Sequence, residues 1–305
     1  EKKPQRKSEA ESNNRVRNLR FNRIALTLFY LGLLICSMQK EEKRFQIQVL
    51  DVGQGDGIYI ESDAGTEIFV DGGSVDVSEV GKYRIRPFLK LHGVREVDYW
   101  FVSHCDADHC NGLMELLETD YPIKYLVFSK YVLKDEAQEE LAALAKQKGC
   151  QVLYMEEGEC FRDTSIRIQA IYPSEKSVEG ERNADSLVLL LEHGNFHGLL
   201  TGDIGSEQEK KLIETYGEVC DSRNIDWYKA AHHGSKTSNS KELLDALQPK
   251  IATISCGQDN SYGHPGKEAV EHMQDAGAEI FQTTECGQIG ITEEDGKITI
   301  FKRLA

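Results

Sequence analysis

The sequence predicts an α/β protein with two β-sheets and with helices on the outside. Apolar strand-like segments alternate with helix-like segments from Phe45 onward, and a β-rich stretch opens each half of that region. The 305 residues are 40% hydrophobic and 29% charged, which is ordinary for a folded domain with a buried core. Residues 45–305 contain no repeat, long linker or low-complexity tract. We therefore expect one large domain over that range.

Hydrophobic periodicity and turn residues locate the individual elements. The predicted strands are 45–50, 57–61, 67–70, 99–103, 125–128, 151–154, 166–171, 187–192, 197–201, 227–230, 251–255, 279–282, 288–291 and 297–301. The predicted helices lie near 82–92, 111–118, 135–148, 206–216, 240–247 and 266–276.

The charge of the chain is divided unevenly. Residues 1–44 hold eleven Lys or Arg and five Asp or Glu, a net charge of +6, whereas the remainder carries 25 basic and 46 acidic residues, a net charge of −21. A strongly acidic domain disfavours tight, non-specific binding to duplex DNA, which depends on neutralising phosphates. Lys229 and Lys236 are the local basic residues that we expect to contact an anionic strand.

The N-terminal region predicts a membrane segment. Residues 24–38 are uncharged and mostly apolar, and a basic segment over 1–23 precedes them. The positive-inside rule places 1–23 in the cytoplasm, 24–38 in the membrane as the end of a membrane domain, and 45–305 outside. A cleaved signal peptide and a buried core helix are the alternatives. The chain begins with Glu1 rather than Met, so we expect a fragment of a longer protein or a processed chain.

A cluster of metal-binding residue types gives the strongest functional signal. His104, Asp106, Asp108 and His109 follow the predicted strand over 99–103, and we place them on the turn at its end. Two imidazoles and two carboxylates suit a borderline or hard divalent ion. A cap or a surface turn does not need four such residues within six positions. The segment predicts a metallo-hydrolase site in which the last two residues serve a second metal beside the first.

Three further segments carry ligand-type residues near predicted strand ends. Asp203 follows an apolar strand, where a carboxylate can bridge two metals. His232 and His233 follow the next predicted strand, and His264 lies in the loop before the last predicted helix. The sequence leaves open which of these three histidines binds metal.

Two glycine-rich turns, residues 51–56 and 71–74, also follow predicted strands. Gly53 and Gly55 would permit close approach of a phosphate, and simple β-turns are the equal alternative. We expect Asp56 and Asp71 to hold loops or metal ligands in place.

Together these motifs resemble the metallo-β-lactamase superfamily and, within it, the C-terminal domain of the ComEC family of DNA-uptake proteins. The matching segments, in chain order, are 50–56, 70–73, 104–109, 199–203, 232–235 and 262–265. The resemblance implies an αββα sandwich over about 45–301, with the metals on one edge and a membrane span just before the domain.

Two positions depart from the usual superfamily pattern. Asp106 stands where most members have histidine; the ComEC-like branch also has aspartate there. An oxygen ligand makes the first metal site harder, so that Mn²⁺ or Mg²⁺ is as suitable as Zn²⁺. The usual histidine between the first cluster and Asp203 is missing, and residues 183–186 occupy its approximate place. One or two ions are therefore compatible with the sequence.

The resemblance implies hydrolysis of phosphodiesters in DNA, with degradation of the non-transported strand during uptake. We expect Asp108 to act in catalysis as well as in metal binding, and one of His232, His233 and His264 to protonate the leaving oxygen. His233 is the candidate to lie near the phosphate. The implied partners are a DNA strand, the membrane with an upstream channel domain, and DNA-receptor proteins. The alternatives are an extracellular phosphodiesterase for a small molecule, a β-lactamase, which Asp106 disfavours, and a non-catalytic gate. The metal ligands expected are His104, Asp106, Asp108, His109, Asp203, His232 and His264.

Overall fold

The computed structural model describes residues 22–23, 25–31, 43–223 and 225–303. The chain divides into two units, Glu1–Glu42 and Lys43–Ala305. The second unit contains every strand named below.

In the first unit, residues 22–23 and 25–31 are helical and their side chains are exposed. Among the residues that the structure describes, no helix combines the length and the apolar character that a membrane crossing requires. Positions 24 and 32–38 of the predicted span lie outside the described residues, as do positions 1–21 of the basic segment. The span over 24–38 therefore stays a prediction.

The described part of the second unit contains fifteen strands and seven α-helices. The strands are β1 Gln46–Val49, β2 Ile58–Glu61, β3 Glu67–Val70, β4 Val97–Val102, β5 Ile123–Ser129, β6 Gln151–Met155, β7 Cys160–Arg162, β8 Ile166–Tyr172, β9 Val188–His193, β10 Phe196–Leu200, β11 Trp227–Lys229, β12 Ile251–Ile254, β13 Glu279–Gln282, β14 Gln288–Glu294 and β15 Lys297–Arg303. The helices are α1 Arg86–Leu91, α2 Ala107–Glu118, α3 Glu136–Gln147, α4 Ser206–Arg223, α5 Lys241–Leu247, α6 Lys267–Asp275 and α7 Thr283–Cys286. A π-helical turn over Gly81–Ile85 leads into α1, and a 3₁₀ turn over Ala231–Gly234 follows β11.

The strands form two mixed sheets. The first has the order β15-β14-β1-β2-β3-β4-β5-β6, and the second has the order β13-β12-β11-β10-β9-β8-β7. In the first sheet, β3 to β6 run parallel. In the second, β10 to β13 run parallel. Each parallel block delivers the carboxyl ends of its strands to one side of its sheet, where the loops that follow carry the candidate ligands.

Three apolar cores separate four layers. Successive residues on a strand point to opposite faces, so Trp100 and Phe101 of β4 belong to different cores, as do Leu189 and Leu190 of β9. Phe101 and Leu189 share the core between the sheets. Because both faces of each sheet are covered, the central strands read as nearly continuous apolar runs. The αββα sandwich implied by the resemblance is confirmed.

All fourteen predicted strands are present, with ends within three residues of those expected. The sequence missed β7 and α7, which have three and four residues and are too short to display a period. It also began α2 at residue 111, whereas the helix begins at Ala107. Asp108 and His109 therefore lie in the first turn of a helix rather than on the preceding turn.

Candidate metal centre

The carboxyl ends of four strands meet at one edge of the sandwich. In the first sheet, the parallel strands β3 and β4 end shortly before Asp71 and His104. In the second, the parallel strands β10 and β11 end shortly before Asp203 and His232. Ion-pair distances of 3.3–3.8 Å join histidines and carboxylates across this edge. The fold therefore brings residues from four distant segments into one cluster.

Asp71 fixes the orientation of His109. Its carboxylate accepts hydrogen bonds from the Ser103 backbone N–H at 2.7 Å and from the Ser103 hydroxyl at 2.8 Å. The same carboxylate lies 3.0 Å from His109 Nδ1, which donates to it. The other ring nitrogen, Nε2, lies 3.3 Å from Asp203 Oδ2 and is the nitrogen left to bind a metal when the ring is neutral. A carboxylate behind an imidazole in this way selects the tautomer that binds a metal through Nε2.

His233 is oriented by a backbone carbonyl. Its Nδ1 donates to the oxygen of Ser255 at 3.0 Å, and its Nε2 lies 3.5 Å from both Asp108 Oδ2 and Asp203 Oδ2. His232 and His233 both have left-handed backbones, with φ of 50° and 54°. Consecutive left-handed residues that are not glycine are strained, and such strain persists where the surrounding structure holds it in place.

Asn239 holds the strained turn. Its buried side chain accepts from the backbone N–H of Ala231 at 3.0 Å and donates to the carbonyls of Ala231 and Ser235. The backbone N–H groups of Asn239 and Ser240 in turn donate to the buried carboxylate of Glu209. The turn that carries the histidines is therefore fixed by side chains from outside it. Neither Asn239 nor Glu209 was predictable from the sequence, because no motif marks either residue without its partners.

His104 faces the centre from the first sheet. Its Nδ1 lies 3.0 Å from the Ser103 hydroxyl and 3.3 Å from the Ser186 hydroxyl. Its Nε2 lies 3.6 Å from Asp106 Oδ2.

Five buried polar atoms at this edge have no hydrogen-bond partner among the described residues. They are Nε2 of His104, His109 and His233, together with Oδ1 of Asp56 and Asp203. An unpartnered buried polar atom costs roughly 1–3 kcal/mol. A divalent cation satisfies such atoms, and imidazole nitrogens with carboxylate oxygens suit Zn²⁺ or Mn²⁺. The residues present therefore fit a metal ion.

Four overlapping sets of donor atoms lie within 4.8 Å of one another. They are His104–His109–Asp203, Asp108–His109–His233, Asp56–Asp203–His233 and Asp56–Asp71–His109. Each of three residues belongs to two of the first three sets: His109, His233 and Asp203. Among the described residues, Asp106, His232 and His264 join none of these sets.

The clustered carboxylates and imidazoles shift one another's protonation. Burial lowers the pKa of His109, but Asp203 and Asp71 outweigh burial and raise that pKa well above its usual value. The same competition, with Asp203 and Asp56, raises the pKa of His233 to about 9. Burial raises the pKa of Asp203, yet the imidazoles of His109 and His233 hold it well below its usual value. An edge that holds protons this strongly also attracts a divalent cation, which competes for the same lone pairs.

Asp56 lies behind His233 and forms a buried ion pair. Its Oδ2 is 2.8 Å from Lys229 Nζ, and the two side chains are 2% and 1% exposed. Burial opposes ionisation of Asp56, but Lys229 and His233 outweigh it and hold the pKa of Asp56 well below its usual value. The expectation that Lys229 forms part of a DNA-binding patch is therefore wrong, whereas Lys236 is exposed. The sequence did indicate that Lys229 is buried, because this lysine lies within an otherwise apolar predicted strand.

Asp106 forms an ion pair with Arg182, which no sequence motif predicts. Arg182 Nη1 donates to Asp106 Oδ1 at 2.6 Å, and Arg182 Nε donates to Asp135 Oδ2 at 2.5 Å. The contact with His104, followed by the bond from Arg182, holds the pKa of Asp106 well below its usual value. No motif marks an arginine 76 residues away in the chain as the partner of this aspartate.

His232 and His264 lie beside the donor sets. His232 Nε2 is 3.8 Å from Asp203 Oδ2, and its ring centroid is 5.5 Å from that of His264. His264 Nδ1 accepts from the Gln54 side-chain amide at 3.3 Å. Burial, together with the neighbouring imidazoles, lowers the pKa of His264 to about 4. Both rings are half-buried, and Tyr262, which is 60% exposed, stacks on His264.

Residues 183–186, at the place of the missing histidine, add a hydroxyl to the centre. The Ser186 hydroxyl contacts His104 and accepts from the backbone N–H of Asp203 at 3.2 Å. The Asp185 carboxylate instead accepts from three backbone N–H groups in residues 179–181. Asp185 therefore shapes its own loop and does not supply a substitute ligand.

The glycines of the first turn serve the packing of the protein. A Cβ at Gly55 would lie 2.3 Å from the Gly73 carbonyl and 2.6 Å from the Asp108 carbonyl, and one at Gly53 would lie 2.1 Å from a side-chain oxygen. The backbone N–H of Asp56 donates to the Asp108 carbonyl at 3.0 Å. Of the two alternatives for these glycines, the structure favours packing over a phosphate site, because neighbouring loops and the first turn of α2 lie directly against them.

This chain belongs to the metallo-β-lactamase superfamily, whose family model matches residues 50–258. The matched region contains every residue of the four donor sets. The family, the two-sheet sandwich and the strand-end donor atoms define a hydrolase-type metal centre.

Within that superfamily, the chain resembles competence proteins of the ComEC family. ComE operon protein 3 of Bacillus subtilis is 27% identical over 279 residues, which are 87% of this chain and 35% of that protein. Recombination protein 2 of Haemophilus influenzae is 26% identical over 279 residues, which are 92% of this chain and 32% of that protein. The chain therefore spans about a third of the length of these relatives. A long-form RNase Z from yeast shares the fold, with a TM-score of 0.54 and 9% identity over 86% of this chain and 50% of that chain.

Proposed function

We propose that this chain is a metal-dependent phosphodiester hydrolase that degrades DNA, and that it removes the non-transported strand during DNA uptake. The observation that carries the proposal is the group of five unpartnered buried donor atoms at one sheet edge. The similarity to competence proteins supports DNA as the substrate.

The donor atoms of His104, His109, His233, Asp108 and Asp203 are our candidates to hold the metal. A divalent ion there supplies a Lewis acid for phosphoryl oxygens and lowers the pKa of a water. Asp108 is 19% exposed at its side chain, so its carboxylate can also orient a water from the open side. His233 is only 1% exposed and its Nδ1 is engaged, so we assign it to the metal rather than to the leaving group.

Half-buried and exposed residues around the centre are the candidates to contact DNA. His232 and His264 are placed to hydrogen-bond a phosphate or the leaving oxygen. Tyr262 offers an exposed ring on which a base can stack, and Lys236 offers a positive charge. The net charge of −21 over residues 45–305 predicts weak DNA affinity, so that a receptor has to deliver the strand.

We extend the proposal to location and partners. In this proposal residues 45–305 lie outside the cytoplasmic membrane, next to a channel domain and DNA-receptor proteins, and the apolar segment 24–38 with its basic flank supports that side of the membrane. Protease accessibility of the domain in intact spheroplasts tests this placement. Protection of the domain until the membrane is permeabilised would contradict it.

The catalytic proposal is tested with the 305-residue chain, stripped of metal and then supplied with Mn²⁺ or Zn²⁺. We expect cleavage of single-stranded DNA that EDTA abolishes. Asp108→Ala should lower the rate at least about a hundredfold, because it removes a donor atom. Asp245→Ala, at an exposed aspartate paired with Lys241 on α5, is the matched control and should retain the rate. Equal activity of Asp108→Ala and wild type, or no cleavage with any metal, would contradict the proposal.

The alternatives are separated by substrate. Hydrolysis of bis(p-nitrophenyl) phosphate or a phosphorylcholine ester without DNA cleavage would identify a small-molecule phosphodiesterase. Turnover of nitrocefin would identify a β-lactamase. Absence of bindable metal would favour the non-catalytic gate.

A further inference from the structure

Arg182 occupies the side of the centre that carries His104 and Asp106. Its guanidinium bridges two carboxylates, with 2.6 Å to Asp106 Oδ1 and 2.5 Å to Asp135 Oδ2. The other oxygen of Asp106 lies 3.6 Å from His104 Nε2. Asp135 is itself held, because it caps α3 by accepting from the Gln138 backbone N–H at 3.1 Å. The arginine is therefore fixed at both ends beside the first two residues of the histidine–aspartate motif.

The loop that carries Arg182 also contacts the opposite side of His104. Ser186, four residues later, lies 3.3 Å from His104 Nδ1 through its hydroxyl. Residues 183–186 of this loop lie, by sequence, approximately where the superfamily usually has a histidine. On this side of the centre the loop supplies a guanidinium and a hydroxyl. A permanently charged group therefore lies beside the first residues of the motif.

The ion pairs around the centre divide its carboxylates into two groups. Asp56 is paired with Lys229 at 2.8 Å, and Asp106 is paired with Arg182. Within the described parts of the chain, the ion pairs of Asp108 and Asp203 are formed with histidines alone, and neither aspartate pairs with a lysine or arginine. Asp71 also pairs only with a histidine, but it lies behind the His109 ring, at Nδ1. Asp108 and Asp203 are the carboxylates without a permanent cation that face Nε2 of His109 or His233, and two such carboxylates match the charge of a single divalent ion.

We propose that Arg182 stands in for a second metal ion, so that the centre holds one divalent ion on the side of Asp108, His109, Asp203 and His233. Asp106 is then the counter-ion of Arg182 and not a metal ligand. The proposal rests on the proposed function only in requiring that the centre binds a divalent ion. It deepens that function, because a fixed guanidinium on this side can bind a phosphoryl oxygen in the way that a second ion would.

A double-mutant cycle on metal binding tests the proposal. The proteins are the metal-stripped 305-residue chain and its Arg182→Gln, Asp106→Asn and doubly substituted variants. Mn²⁺ and Zn²⁺ titrations by calorimetry measure affinity and stoichiometry, and elemental analysis after desalting measures the bound ions. Asn at position 106 leaves the start of α2 intact, because the Asp106 side chain makes no capping hydrogen bond there. Arg167→Gln, at an arginine paired with Glu192 between β8 and β9, is the matched control.

We expect one ion per wild-type chain. Arg182→Gln should tighten its binding by roughly threefold to thirtyfold, because it removes a screened positive charge from the same edge of the sandwich. Asp106→Asn should weaken binding by a similar factor, since it leaves the arginine uncompensated. The double variant should return to within about threefold of wild type, because the two charges cancel.

Three results would overturn the proposal. They are two ions bound per wild-type chain, no change in affinity on Arg182→Gln, or a double variant as weak as Asp106→Asn alone. The last result would identify Asp106 as a direct ligand. Failure of the proposed function gives a different pattern, in which wild type binds an ion and cleaves no phosphodiester. Arg167→Gln should match wild type throughout.

Discussion

Lys229→Met tests how far the buried ion pair with Asp56 supports the second sheet and the turn after β11. Methionine fills a similar volume but cannot pair with the carboxylate. Lys229 and Asp56 are 1% and 2% exposed, so water cannot replace the lost partner. His233 Nδ1 lies 3.6 Å from the other oxygen of Asp56 and is already bonded to Ser255. Asp56 would therefore be left as a buried charge with poor compensation.

The expected loss of stability follows from these contacts. Removing one partner of a buried pair typically costs about 3–5 kcal/mol, because the remaining charge stays desolvated. Lys229 Nζ also donates to the Ala230 carbonyl at 2.9 Å, and an unpartnered carbonyl there adds about 1 kcal/mol. We expect the free energy of unfolding to fall by about 4–6 kcal/mol at pH 7. Lys241→Met, in an exposed pair with Asp245 on α5, should cost less than about 1 kcal/mol.

The pH dependence has a defined sign. In the folded wild type the pKa of Asp56 is lowered, so the pair stabilises the fold above the unfolded pKa of about 4 and loses that contribution as pH falls through the folded value. Without Lys229 the carboxyl protonates more easily, so the difference between variant and wild type should shrink towards pH 4. Urea denaturation of the metal-free proteins, followed by circular dichroism, measures both quantities. A loss below about 1 kcal/mol, or an equal loss at pH 7 and pH 4, would refute the reasoning.

Two further perturbations probe the metal centre and its surroundings. Asp71→Asn removes the carboxylate that holds the His109 tautomer, so metal affinity should fall about 10- to 100-fold; calorimetric titration measures it, and unchanged affinity would rule out this role. Tyr262→Ala removes the exposed ring beside His264, so KM for single-stranded DNA should rise about tenfold while hydrolysis of bis(p-nitrophenyl) phosphate stays constant. Tyr262→Phe keeps the ring and should retain the wild-type KM. Equal effects of Tyr262→Ala on both substrates would exclude base stacking.

The strands were predictable because each strand with both faces buried is a short apolar run bounded by turn residues. β10 and β11 are examples, since their ends at Leu200 and Lys229 lie within one residue of those expected. Elements of three or four residues, such as β7 and α7, hold too few positions for a period to register. The start of α2 was predicted too late because residues 107–110 were interpreted as part of a turn that carries metal ligands. The same residues form the first turn of the helix.

The candidate ligands were predictable as residue types, but their grouping was not. His109 and Asp203 are 94 positions apart and lie 3.3 Å from each other in the fold. The sequence could not show whether His232 or His233 is the better candidate metal ligand, because adjacent residues of the same type are equivalent in a motif. The left-handed turn separates them by position, because it brings His233 Nε2 to 3.5 Å from Asp108 Oδ2 and leaves the half-buried His232 beside the donor sets.

The sequence by itself determined the class of protein, the edge of the sheets that carries the chemistry and the residue types found there. Hydrophobic period and strand-end motifs are local properties, so they survive in the order of the residues. Only the tertiary structure decided the partners: Lys229 with Asp56, Asn239 with the histidine turn, and Arg182 with Asp106. The physical reason is that a charge shows its role only through the group that compensates it, and the fold chooses that group from anywhere in the chain.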